Sequence, residues 1–143
     1  MSVAVLKGYV WGVNWLTNNH MNIIRNIIKK IKDYDAIAWD GDLLKHDSFT
    51  RVLFEIMSKY PEKRYIAFKK NKSKNKLNPS YVEINRHIRA SGFPKITKNP
   101  IEIVTLNNKL SWQNIGITGI QKLQKYFEKV DIYFLGQGDV AKT

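Results

Sequence analysis

Five short apolar runs punctuate this chain, and stretches of helical periodicity separate them. They are VAVL near the start, AIAW within Asp35 to Trp39, RYIAF at 64–68, IEIVTL at 101–106 and DIYFLG at 131–136. Runs of four to six apolar residues bounded by turn residues suit buried strands. In NNHMNIIRNIIKKIKDY, residues Ile23, Ile24, Ile27, Ile28 and Ile31 recur at helical spacing, with Thr17 or Asn18 as cap. A second helix is expected over Phe49 to Lys59, capped by Asp47 or Ser48. A third lies in YVEINRHIRASGF, closed by Gly92 and Pro94, and a fourth in GIQKLQKYFEKV. Strands alternating with helices form a mostly parallel sheet with helices on both faces. The expectation is one Rossmann-like α/β domain over residues 1–143 with about five strands. Its one long polar connection, KKNKSKNKLNPS at 69–80, reads as a mobile lysine-rich loop.

Charge narrows the choice of partner. The formal net charge is +12, and residues 61–100 carry eleven Lys/Arg against Glu62 and Glu83. Such a field attracts phosphates, on a nucleotide or on nucleic acid. The lysine loop, with Arg86 and Arg89 beyond it, has few aromatics, so it offers phosphate attraction rather than base reading. No apolar run reaches the roughly 18–20 residues of a membrane span, and the start shows no basic segment leading into a signal-type apolar core. With zero cysteines, disulfides, thiolate metal sites and cysteine nucleophiles are all excluded. A cytoplasmic protein is the expectation.

Against this basic background, Asp33, Asp35, Asp40, Asp42 and Asp47 gather within fifteen residues, five of twelve acids in the chain. The run AIAW delivers Asp40-Gly41-Asp42 past the end of a strand, the edge where open α/β sheets bind ligands. Carboxylates two residues apart can share a Mg²⁺, and His46 nearby could shuttle protons. Ser48 and Thr50 at the following helix start suit an anion, and Glu55 lies about two turns further on. Asp and Ser are also ordinary turn and cap residues. Glycines stand beside the first strand's end, Gly8 and Gly12, and after the last strand, Gly136 and Gly138. Neither set makes G-x-G-x-x-G, and no P-loop pattern occurs. Trp11, Trp15 and Trp39 fall near the same edge, either to stack on a base or to fill the core.

Residues 35–68, with Trp39-Asp40-Gly41, then Asp47-Ser48-Phe49-Thr50, then strand Arg64 to Phe68, resemble the SLOG and nucleoside 2-deoxyribosyltransferase group. That resemblance implies a Rossmann-like pocket for a nucleotide or nucleoside and cleavage or transfer at an N-glycosidic bond. The helix glutamate that serves as nucleophile there would fall on or near Glu55. Phe49 stands where the group has glycine. A second resemblance is to haloacid-dehalogenase-like phosphatases, through Asp40-Gly41-Asp42, Thr105 after a later strand and Asp139 after FLGQG. It implies a Mg²⁺-dependent phosphohydrolase with Asp40 as phosphoryl acceptor, Asp42 as general acid and Mg²⁺ on Asp40 and Asp139. There Leu43-Leu44 replaces the group's Gly-Thr, and Lys122 and Lys125 are among the possible lysines.

The sequence thus points to a nucleotide-binding protein. Asp40 and Glu55 are its catalytic candidates; Gly8, Trp11, Gly12, Gly41, Asp42, Asp47, Ser48 and Thr50 are its ligand contacts. No cofactor is expected, save Mg²⁺ in the phosphohydrolase reading. A basic protein that binds nucleic acid without catalysis is the alternative of another class.

Overall fold

In the computed structural model the described residues are 1–7, 18–40, 44, 47–70, 86–106 and 117–134. They form five strands: β1 (Ser2–Lys7), β2 (Ala36–Asp40), β3 (Arg64–Lys70), β4 (Glu102–Leu106) and β5 (Lys129–Phe134). The helices are α1 (Asn18–Lys30), α2 (Asp47–Lys59), α3 (residues 86–91), α4 (Phe93–Ile96) and α5 (Ile117–Gln124). Every strand pair is parallel, in the order β4-β3-β2-β1-β5. This is the Rossmann-like α/β sheet expected from the sequence.

Connectivity decides which face each helix covers. The chain steps from β1 to β4 in one direction, and right-handed crossovers keep the intervening helices on one face. It then returns past the whole sheet to β5, beside β1, which sends α5 to the other face. The core divides accordingly. Ala4, Leu6, Ile37, Trp39, Tyr65 and Ala67 pack under Ile24, Ile27, Ile28, Val52, Leu53, Ile56 and Phe93. Val3, Val5, Ala36, Ala38, Ile66 and Phe68, the alternate residues, pack under Leu123 of α5 and Phe127 just beyond it. Strands buried on both faces read as continuous apolar runs, and VAVL, AIAW and YIAF do so because they are central.

Several element ends depart from the sequence expectation. Gly92 does close α3, at φ 82°, but Pro94 sits in the first turn of α4 instead of ending a helix. Proline tolerates that position because its missing N–H has no helical partner there. α5 stops at Gln124, six residues short of the expected end. The Glu128 N–H donates to the Met1 carbonyl at 2.9 Å, and Lys129 and Val130 then pair with Ser2 and Val3. Sheet pairing thereby takes residues whose spacing alone looked helical. Lys69 and Lys70 belong to β3, opposite Thr105 and Leu106, and not to a mobile loop; residues 71–80 lie outside the described residues.

The first two strands are tied at their amino ends. The Ser2 N–H donates to Asp35 Oδ2 at 2.8 Å, and the Ser2 hydroxyl does so at 3.2 Å. The backbone bond from Ser2 holds the Asp35 carboxyl below its ordinary pKa. The folded chain therefore keeps this carboxylate charged to lower pH than the unfolded chain, which binds more protons as pH falls below about 4. The Asp35 contribution is present above that range and lost as pH falls through the depressed folded value. Urea denaturation followed from pH 6 down to pH 2 should show a shallower acid loss in Asp35→Asn; identical slopes would remove the clasp from the acid response.

Candidate functional site

The carboxyl ends of β1, β2 and β5 meet beside a topological switch point. β1 leads towards α1 on one face, while its neighbour β5 arrives from α5 on the other. Crevices of this kind hold the ligands of open α/β sheets. Asp40, the last residue of β2, is half-buried there and pairs with Phe68 of β3. One residue beyond the Leu6–Trp39 pair, Lys7 of β1 is its neighbour across the strand gap. Strand alternation puts Lys7 and Asp40 on one side, with Val5 and Ala38, so a cation and a carboxylate end adjacent strands together.

The remaining sequence candidates divide. Asp47 and Ser48 lie within α2, which begins two residues earlier than expected. The Thr50 hydroxyl, half-buried, donates to the Leu44 carbonyl at 3.2 Å and so ties the helix start to the segment after β2. Phe49, beside it, is fully buried. Glu55 is exposed, on the side of α2 away from Val52, Leu53, Ile56 and Met57. The fold does not bring it together with Asp40. Thr105 is in β4, with β3 between its strand and that of Asp40. Gly8, Trp11, Gly12, Trp15, Gly41, Asp42, His46, Gly136, Gly138 and Asp139 lie outside the described residues. No group of three acidic, His or Cys side chains that could hold a metal occurs among the described residues.

Trp39 belongs to the core. Its indole is fully buried, edge-on to Tyr65 with centroids 6.4 Å apart. Its Nε1–H is buried without a hydrogen-bond partner, an arrangement that costs about 1–3 kcal/mol. This orphan donor adjoins Asp40 in sequence, at the same end of the sheet.

Two clusters escaped the sequence reading. Tyr34 donates its phenolic proton to Asp131, and the Tyr133 hydroxyl lies 2.9 Å from its own. The two rings meet edge to face at 5.9 Å. Burial, then the bond to Asp131, raises the Tyr34 pKa well above the ordinary phenol range, so it remains a donor. The cluster lies on the α1 side of β5, where Asp131 and Tyr133 pair with Ala4 and Leu6 of β1. Lys63 donates to the Lys32 carbonyl at 2.7 Å and to that of Tyr34, closing the turn after α1. Its pKa is lowered, chiefly by burial. The pairing of Tyr34 with Asp131 spans 97 residues, so no local pattern signals it. The alternation of Asp131 and Tyr133 in VDIYF was the one available hint.

A groove of about 210 Å³ lies elsewhere, between β3, β4 and α5. Ile66, Phe68 and Val104 floor it, and Leu123, Tyr126 and Phe127 form its wall. Arg64 closes it with a bidentate bond to Glu102 at 3.0 and 2.8 Å while stacking 5.3 Å from the Phe127 centroid. Phe68 and its pair Val104 are level with Asp40, whereas Arg64, Ile66 and Glu102 lie nearer the amino ends of their strands. Both charges are about 40% exposed, so their pairing contributes on the order of 1 kcal/mol or less.

No helix among the described residues is long and apolar enough to cross a membrane. No family model, no curated protein and no solved structure matches this chain.

Proposed function

We propose that this protein binds a nucleotide or nucleoside at the carboxyl edge of its sheet, between the ends of β1, β2 and β5. One observation carries the reading: Asp40 ends β2 directly beside β1, at the strand pair next to the switch point. In dinucleotide-binding sheets an acid near the end of the second strand accepts the ribose hydroxyls, while phosphate sits at the start of the first helix. Asp40 is the ribose acceptor in this proposal, and Lys7 supplies a cation on the same side. The resemblance of residues 35–68 to nucleoside-handling proteins points the same way. The net charge of +12 favours the approach of any phosphate ester.

Cleavage or transfer at the N-glycosidic bond is the catalytic form of this proposal. Glu55, exposed on α2 about a third of a turn from its buried side, gives that chemistry little support. Glu55→Gln should therefore leave ligand binding unchanged. A weakened ligand response in that variant would mean that α2 turns a different face to the site.

Thermal unfolding with nucleosides, nucleotides and simple phosphate esters, each with Mg²⁺ and with chelator, tests the reading. A ligand that binds only the folded state raises the midpoint by mass action, by about 2.7 kcal/mol of stability at a hundred times Kd. Nucleotides should shift the midpoint in both conditions. A shift confined to Mg²⁺ would favour the phosphohydrolase built on Asp40 and Asp42, and no shift with any nucleoside or nucleotide would remove the proposal.

A further inference from the structure

The outer surface of α1, α2, α3 and α4 is a second feature that the edge site does not use. These helices share one face of the sheet, and their solvent sides carry Arg25, Lys29, Arg51, Arg86, Arg89 and Lys95, all exposed. Among the described side chains of these helices, the acidic one is Glu55. The other described acids are segregated. Asp33, Asp35, Glu62, Glu102 and Glu128 stand at the amino ends of the strands, Asp131 lies within β5 and Asp40 ends β2; Asp35, Glu62 and Glu102 are hydrogen-bonded to Ser2, Lys98 and Arg64.

Among the described side chains of this layer one large apolar residue is exposed. Phe54 of α2 is 44% exposed, one turn after Arg51. Its ring rests 6.2 Å from that of Phe93, the residue that follows the Gly92 turn between α3 and α4. The ring is thus supported from beneath and open above. Met1, Tyr126 and Ile132, the other exposed large apolar residues, lie off this layer.

We propose that the α1–α4 surface binds single-stranded nucleic acid, its arginines and lysines tracking phosphates and Phe54 stacking on a base. Charge complementarity selects a polyanion, and the supported ring selects one with unstacked bases. An anionic membrane would share the charge requirement. It would also need a sizeable apolar area to insert, and the described side chains of this layer offer one half-exposed ring. The inference does not rest on the nucleotide site.

Fluorescence anisotropy of the whole protein with a labelled oligo(dT) or oligo(U), across a salt series, decides it. Each phosphate contact on a single strand contributes a slope of about −0.7 in log K against log salt. About four contacts should give a slope near −3. The Arg51→Gln/Arg89→Gln double variant should flatten the slope by about 1.4. Phe54→Ala should weaken binding about tenfold at unchanged slope, and Phe54→Trp, which retains a stacking ring, should restore it. Circular dichroism of each variant checks that the fold is kept. Absence of binding at low salt, affinity indifferent to Phe54 in both variants, or preference for phosphatidylserine vesicles over the oligonucleotide would each overturn the proposal.

Discussion

Replacing Phe49 by alanine should lower the unfolding free energy by about 3–5 kcal/mol, the usual range for truncating a buried phenylalanine. Phe49 is fully buried in the first turn of α2 and joins the cluster containing Trp39, Leu53, Ile56 and Tyr65. It anchors the start of the helix that follows Asp40, where Thr50 adds its bond to Leu44. The cavity left behind can close only if α2 slides, and Val52 and Leu53 in the next turn hold it in place. Glycine there should be worse by roughly the 1 kcal/mol that glycine costs a helix. Urea denaturation checks this through the midpoint at constant m-value. A loss below about 1 kcal/mol would mean that the ring is not part of the packed core.

The second large effect concerns Asp40. Asp40→Asn removes a charged acceptor and substitutes an amide of the same shape. Hydrogen bonds to charged groups contribute about 1.5–3 kcal/mol, so affinity for a ribonucleotide should fall roughly tenfold to a hundredfold. The fold should survive, because Asp40 ends its strand and is only half-buried. Ala36, Ala38 and Trp39 before it carry the packing of β2. Retained far-UV circular dichroism with lost binding is the expected pair of results. Loss of both together would make Asp40 a structural residue.

Much of this architecture was legible because the three central strands are buried on both faces. That burial demands continuous apolar runs, and VAVL, AIAW and YIAF stand out from any helix pattern. The edge strands were legible for another reason. Glu102 and Asp131 interrupt IEIVTL and KVDIYF, as expected where one side of a strand lacks a partner. Boundaries failed where tertiary contacts outweighed local pattern. Ile120, Leu123 and Phe127 keep helical spacing, yet pairing with Ser2 and Val3 draws Lys129 and Val130 into β5.

The site was legible in part. An apolar run ending in Asp40 identifies a strand end from chemistry alone, whereas the neighbouring Lys7 depends on strand order, which no local pattern records. The direction of Glu55 was readable in principle. Val52, Leu53, Ile56 and Met57 define the buried side of α2 and leave Glu55 about a third of a turn away from it. Trp39 shows the opposite difficulty. A tryptophan beside a strand end serves a ligand or the core equally well by sequence, and only the two packed layers assign it to the core.

The most direct measurement is calorimetric titration of the protein and of Asp40→Asn with a ribonucleotide and its 2′,3′-dideoxy counterpart. The edge site predicts that the wild-type protein prefers the ribonucleotide about tenfold or more, as expected for a charged hydrogen bond to the sugar, and that Asp40→Asn abolishes the preference. Equal affinity of the wild-type protein for both sugars, or a preference that persists in Asp40→Asn, would contradict it.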